Sequence, residues 1–295
     1  MRVIILLILF VFIIVALLGG LISLGPQFGL PKIQVTVVPD EPAPEEPDLP
    51  ADMQRYYELK NVSCNTLSNN FLISTHDVAN GSLSGIIATQ AEIEVASSIV
   101  RGFDYDQDTK TYVLGDQMKK VIKSGDTETT TIWKGGRIYE CGDNCTMRLM
   151  EGNLSDEYYD SLNAMRSNCN HFGKTKLPGS VNLTKLLNIE KTGVSTINGY
   201  RCDNFRISGN STYISTLNLT GDAKDLAWML DHLDGPLEEC LDESTGIIVR
   251  RNLTLDLTDS YNFRFEDEGY IKVNQVTELT YFTDNVPESF LALPG

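Results

Sequence analysis

The chain is short of the residues from which catalytic centres are built. Its 295 residues include three histidines, His76, His171 and His232, each in a different polar setting. Gly-x-Ser-x-Gly, His-Glu-x-x-His and a glycine-rich phosphate loop are all missing. That excludes the nucleophile elbow, the zinc-protease helix and the P-loop. Positive charge is scarce too: 24 basic residues face 40 acidic ones, for a net charge of −16. Nucleic acid and anionic membrane surfaces both require clustered Lys and Arg, so neither is expected as a partner. No cysteine ends the N-terminal apolar run, which removes a lipid-anchored lipoprotein start. The run Asp104, Asp106, Asp108 opens as calcium loops do, but Thr109 stands where the loop glycine belongs and Gly115 where the bidentate acid belongs. A solvated hairpin loop is the expected role. These absences lead to an expectation of no catalytic residue, no metal and no cofactor, hence no enzyme. An envelope hydrolase would have to draw on acids such as Asp104, Asp106 and Asp108.

What is present begins with the apolar run over residues 3–24, long enough to cross a hydrocarbon core of about 30 Å as a helix. A cleaved signal peptide is the competing reading. Ser23-Leu24-Gly25 suits cleavage, but Pro26 obstructs it. Residues 1–25 are therefore expected to be an uncleaved single-pass anchor, and Arg2 biases the N-terminus toward the cytoplasm. Residues 26–51 form a linker whose prolines and acids make an extended, self-repelling spacer. Residues 52–295 are expected to form one domain on the far side of the cell membrane. Six cysteines and eight Asn-x-Ser/Thr sequons agree with export. The sequons lie at Asn61, Asn80, Asn144, Asn153, Asn182, Asn210, Asn218 and Asn252 and are candidate glycosylation sites. An archaeal surface protein fits this layout.

Along the domain, residues 52–60 read as a short helix, and residues 61–84 as polar and turn-rich around Phe71-Leu-Ile73. Ile87, Ala91, Ile93, Val95 and Ile99 alternate as a half-buried strand does. A meander follows over residues 111–141, punctuated by Gly115-Asp116, Ser124-Gly-Asp126 and Gly135-Gly136. Helices are expected near 155–167, 182–188 and 222–233. In residues 247–257, Ile247, Val249, Leu253, Leu255 and Leu257 share one face, and Arg251 is the one charge on it. Residues 263–282 read as a final hairpin across Glu266-Asp-Glu-Gly269. Runs of strands with segregated helices make the class α+β.

In an oxidising compartment the cysteines pair, and six allow 15 pairings. Cys202 and Cys240 bracket the helical insertion on neighbouring strands, and Cys141 and Cys145 flank a hairpin tip. Cys64 with Cys169 follows by elimination. Cys169-Asn-His171 and Cys141-x-x-x-Cys145 match no common zinc spacing. The 222–233 helix is apolar over more than half its circumference, with Trp228 and Met229 off its main stripe. It reads as a core helix, or as a lid whose Trp228 and Met229 line a hydrophobic cavity.

The order of three stretches carries a resemblance. They are Gln117-Met-Lys-Lys-Val-Ile-Lys-Ser-Gly-Asp126 with Thr130-Thr-Ile-Trp-Lys-Gly-Gly-Arg-Ile-Tyr-Glu140; Asn198-Gly-Tyr-Arg-Cys-Asp-Asn-Phe with Asp242-Glu-Ser-Thr-Gly-Ile-Ile-Val-Arg250; and Asn285-Val-Pro-Glu-Ser-Phe-Leu-Ala-Leu-Pro294. In this order the chain resembles the outer-membrane lipoprotein carrier and lipoprotein-sorting superfamily. The resemblance implies a strongly curved, incomplete antiparallel β-barrel with helices covering its concave face and a hollow for acyl chains. A membrane-tethered binder or chaperone for a lipid or lipidated partner is then expected, with Trp133, Tyr139, Phe205, Trp228 and Met229 lining the hollow. The rival is a cell-surface interaction domain with a filled core. Anchor, cysteines and sequons set the chain apart from soluble carriers, because a tethered protein cannot shuttle between two membranes.

Overall fold

The structure, a computed structural model, describes residues 49–67, 70–142, 144–149, 183–217, 222–261 and 263–291. The proposed anchor, the 155–167 helix, Cys169, Asn153, Asn182 and Asn218 lie outside the described residues.

Helix α1 (Ala51–Leu67) leads into strand β1 (Phe71–Ile86), followed by helix α2 (Gln90–Arg101). A meander then runs through β2 (Tyr105–Leu114), β3 (Gln117–Ser124), β4 (Thr127–Lys134), β5 (Arg137–Cys141) and β6 (Cys145–Leu149). A single turn, α3 (Leu183–Leu186), opens the second half. There β7 (Leu187–Ile197) pairs with β8 (Tyr200–Gly209), and α4 (Ser211–Ile214) and α5 (Asp222–Asp231) come before β9 (Leu237–Asp242) and β10 (Ile248–Asp256). The last described strand, β11 (Phe265–Thr283), is the longest among the described residues.

The eleven strands among the described residues belong to one antiparallel sheet in the order β6-β5-β4-β3-β2-β1-β11-β10-β9-β8-β7. This corrects the expected fold class. The strands at the two ends, β6 and β7, do not pair, so the sheet stays open and is not an incomplete barrel roofed by helices. Of the helices among the described residues, α1, α2 and α5 exceed a single turn. No described helix is long and apolar enough to cross a membrane.

The barrel was what the resemblance implied; three local readings differ from the structure as well. First, β1 is polar after Ile73 yet sits in the middle of the sheet, hydrogen-bonded to β2 and β11. Second, the alternating run 87–99 belongs to helix α2. Thr89 caps it through a reciprocal bond with Glu92, whose side chain takes the Thr89 N–H at 2.8 Å. That capping box fixes a helix start and overrides the period-2 pattern. Third, Glu266-Asp-Glu-Gly269 is not a hairpin tip; β11 runs straight through it. Gly269 is there because a Cβ would stand 2.6 Å from the Gly85 carbonyl oxygen on the adjoining strand. Asp106 and Asp108, expected in a loop, lie on β2 beside His76 of β1.

The interior falls into two clusters. One gathers Met53, Tyr56 and Leu59 of α1 with Phe205, Leu241, Leu253, Leu255 and Val273 of the sheet. The other includes a row in direct register, Phe71–Val113–Met118–Trp133–Ile138, running from β1 to β5. The β7–β8 turn reaches toward β11: Asn198 donates to the Leu279 carbonyl at 2.9 Å, and the Tyr200 hydroxyl accepts from the Phe282 N–H. The Cys202–Cys240 disulfide joins β8 to β9 with Cα atoms 5.4 Å apart, and a second disulfide joins Cys141 to Cys145. Cys64 is half-buried and has no disulfide partner among the described residues.

Candidate functional site

A polar row crosses the sheet between the apolar stretches. In register, Asp77 of β1 pairs with Thr277 of β11, Thr277 with Arg251 of β10, Arg251 with Glu239 of β9, and Glu239 with Phe205 of β8. Directly paired residues project from the same face, and α1 lies over the Glu239 and Arg251 part of the row.

The helix meets that row with its own buried stripe. Met53, Tyr56, Tyr57, Leu59, Lys60, Ser63 and Leu67 are its buried residues, a spacing that marks one helical face. A lysine in the middle of such a stripe must find a counter-charge. Lys60 Nζ lies 3.1 Å from Glu239 Oε2, and the Tyr56 hydroxyl donates to the same oxygen at 2.8 Å. Arg251 takes the other oxygen, with Nε at 2.9 Å and Nη2 at 2.7 Å from Oε1. Burial alone would raise the Glu239 carboxyl. The Lys60 ammonium, the Arg251 guanidinium and the Tyr56 hydrogen bond outweigh it and hold the group at about 2. Burial and the Glu239 charge push the Tyr56 hydroxyl well above its ordinary value. The tyrosine is thus a donor and the glutamate an anion throughout the physiological range.

The turn before β10 sets how closely α1 approaches. Asp242 Oδ2 accepts from the Thr245 N–H at 2.8 Å and from the Ser244 and Thr245 hydroxyls. This places Gly246 directly under the helix at φ +67°, where a Cβ would collide with the Leu59 carbonyl.

Beyond the charge cluster, toward the end of α1, a half-open cleft of about 110 Å³ separates helix from sheet. Leu67, Phe71, Ile73, Ile247 and Ile248 make its apolar wall; Arg251, Ser63, Thr75 and Thr277 are the polar part. The cleft is therefore continuous with the buried ion cluster through one residue, Arg251.

The five residues expected to line a hollow are spread over the two clusters and the surface. Phe205 is packed in the first cluster and Trp133 in the second. Tyr139 is half-buried on β5, Met229 packs at the margin of the first cluster, and Trp228 is 43% exposed, stacked on His232. Of the described sequon residues, Asn61, Asn80, Asn144 and Asn210 are exposed; the Asn252 side chain is half-buried and bonded to Asn274. Among the described residues no group of three or more His, Cys, Asp or Glu is arranged to hold a metal. The sequence reading flagged Arg251 but missed Glu239 and Lys60. Their signal is a pair of acids between Leu237 and Leu241, one of which must face inward on a strand, and one lysine on a helical apolar stripe.

The chain matches no protein-family model and no curated protein. Its fold is similar to the crystal structure of MucB, with 13% identity over 83% of this chain and 64% of that one, at a TM-score of 0.39; a MucA/MucB complex structure comes from Pseudomonas aeruginosa. The match thus spans less than two thirds of MucB. Lipoprotein LppX of Mycobacterium tuberculosis is similar at 13% identity, 75% and 93% coverage and a TM-score of 0.33. An outer-membrane lipoprotein-sorting protein domain from Vibrio parahaemolyticus is similar at 7% identity, 81% and 97% coverage and a TM-score of 0.24. Likenesses this distant say nothing of what this chain binds.

Proposed function

We propose that this domain is a non-catalytic binding protein that takes the end of an acyl chain, from a lipid or a lipidated partner, into the cleft beneath α1. In this proposal residues 1–25 hold the domain at the outer side of the cell membrane. The observation that carries the reading is the composition of the cleft: an apolar wall with a few convergent polar groups, the usual make-up of small-ligand sites. Its volume sets the scale. A dry cavity of about 150 Å³ accommodates benzene, so a cleft of about 110 Å³ takes a few methylenes, with the rest of the chain leaving through its open side.

The rival reading, an interaction domain with a filled interior, draws support from the close packing of Trp133 and Phe205 in the core clusters. Photolabelling separates the two. The full-length protein in its native membranes is irradiated with a diazirine-bearing palmitate, and the labelled residues are mapped by mass spectrometry. The binder reading expects label on residues 63–75 and 247–251. Labelling that misses both segments overturns it.

A further inference from the structure

We propose that the Cys141–Cys145 disulfide is a thiol-exchange site: a small monothiol attacks it at Cys145, and its opening releases β6 from β5. The inference does not rest on the acyl-binding reading.

The first argument is the contrast between the two disulfides. Cys202 and Cys240 are buried in the second core cluster together with Val249 and Leu279. A thiol from outside reaches them only when the fold opens. Cys141 is buried too, but its partner Cys145 is exposed. Exposed disulfides are the labile ones, whereas enclosed structural ones resist reduction.

The second argument is what each bond holds. The Cys202–Cys240 bond spans 38 residues and the Cys141–Cys145 bond 4. Loop-closure entropy grows with the logarithm of the span, so the short loop contributes less to the stability of the whole domain. Its effect is local. It fastens β6 to β5 at one end of the sheet, where β5 is the strand that β6 pairs with among the described residues. All five residues of β6 are exposed, Met147 and Leu149 included. No buried apolar side chain on β6 therefore opposes its departure. The ties that remain include the strand pairing, the Arg148–Glu140 ion pair and a hydrogen bond from the Thr146 hydroxyl to the Glu140 carbonyl. An exposed ion pair adds little.

The thiolate RS⁻ attacks the Cys145 sulfur. The S–S bond breaks, and Cys141 leaves as a thiolate that takes a proton from water. A second RS⁻ attacks the RS sulfur of the mixed disulfide, which releases RSSR and the Cys145 thiolate. Two small thiols are thus oxidised to one disulfide, and the protein bond is reduced to two thiols.

The test uses full-length protein in phosphatidylcholine nanodiscs at pH 7.5. Thiols free at the start are blocked with iodoacetamide. Reduced glutathione is then added as the monothiol, and samples are quenched at intervals with heavy-isotope iodoacetamide. Peptide mass spectrometry reads each cysteine. Cys141 should be labelled at least about tenfold faster than Cys202 and Cys240, because its bond is reached in the native state and theirs waits for opening. Early samples should carry glutathione on Cys145. Equal rates for the two disulfides, or faster reduction of Cys202–Cys240, overturn the exchange site. Glutathione on Cys141, or on neither sulfur, overturns attack at Cys145. Release of β6 is read by hydrogen exchange in the double variant Cys141→Ser, Cys145→Ser, which lacks the bond without any reductant. Amides of residues 145–149 should exchange at least about tenfold faster than in wild type, with those of β2 and β3 unchanged. Unchanged exchange over 145–149 overturns the release. Lost protection throughout the sheet overturns it as well, because the bond then supports the whole fold.

Discussion

Two carboxylates are buried where α1 meets the sheet, and the fold satisfies them at different depths. Glu239 is held by Lys60, Tyr56 and Arg251 near the middle of the helix. Asp203 on β8 is held near the helix start by Arg55, with Nε at 2.9 Å, and by Lys191 at 2.6 Å. Both acids are almost fully enclosed. Their cations are not equally so: the side chains of Arg55 and Lys191 are 39% and 31% exposed, but that of Lys60 is 3% exposed. Removing Asp203 returns two cations to water. Removing Glu239 leaves one in the interior without that carboxylate. The comparison teaches that a buried ion pair is dangerous to break according to the depth of the partner left behind, not of the residue removed.

The sharpest way to break the comparison is to delete each acid. Glu239→Ala leaves the Lys60 ammonium buried without that carboxylate and should cost about 3–5 kcal/mol, the range for breaking a buried pair. Urea unfolding at pH 7 measures it. A loss no larger than that of Asp203→Ala would show that depth of the cation is irrelevant here. Acid comes next in size. Glu239 has its carboxyl lowered to about 2 from an ordinary 4.5, so its contribution is complete above about pH 4.5 and fades as pH falls toward 2. Asp203 is lowered too: burial opposes this, but the bonds from Lys191 and Arg55 prevail. Thermal unfolding of wild type should therefore drop steeply through that window, and Glu239→Gln should flatten part of the slope. An unchanged slope would place the acid sensitivity elsewhere. Asp203→Ala follows, at about 1–3 kcal/mol, the worth of hydrogen bonds to a charged group whose partners are re-solvated.

How much of this was legible in the chain depends on the kind of signal. The meander β2–β5 could be read because glycine turns separate its strands, and the Cys202–Cys240 pairing because its cysteines sit on adjacent strands. Arg251 showed as one charge on an apolar alternation, although the register shift between Ile248 and Arg250 breaks the evenness that made it visible. Its partner Glu239 was hidden. A strand of six residues with acids at Glu238, Glu239 and Asp242 does not reveal which acid faces inward until the pairing with β8 and β10 is known. β1 escaped notice because a central strand usually reads as apolar, and this one carries Ser74, Thr75, His76 and Asp77 after its first three residues. α2 was mistaken for a strand because Ile93, Val95 and Ile99 are β-branched, a weak preference that the Thr89–Glu92 cap overrode. The ligand-contact candidates were chosen for aromatic bulk. Bulk serves packing as readily as binding, and Trp133 and Phe205 went to the core.

The smallest expected effect comes from Trp228, and it sharpens the comparison by supplying a residue that neither buried acid touches. On α5, Ala227 and Leu230 are buried, so the inner face of the helix passes through them and Trp228 lies outside it. Its indole is 43% exposed and stacks on the His232 ring at 4.3 Å between centroids. Exposed substitutions without a buried partner usually change stability by about 0.5 kcal/mol or less, and loss of an aromatic stack adds at most about 1 kcal/mol. Trp228→Ala should therefore shift the urea midpoint slightly and leave acyl photolabelling of residues 63–75 at the wild-type level. If the substitution abolishes that labelling while the fold persists, the ligand reaches α5, and the cleft under α1 is not where binding is decided. If it instead costs as much as Glu239→Ala, the indole is part of the core, and its exposed position on α5 is wrong.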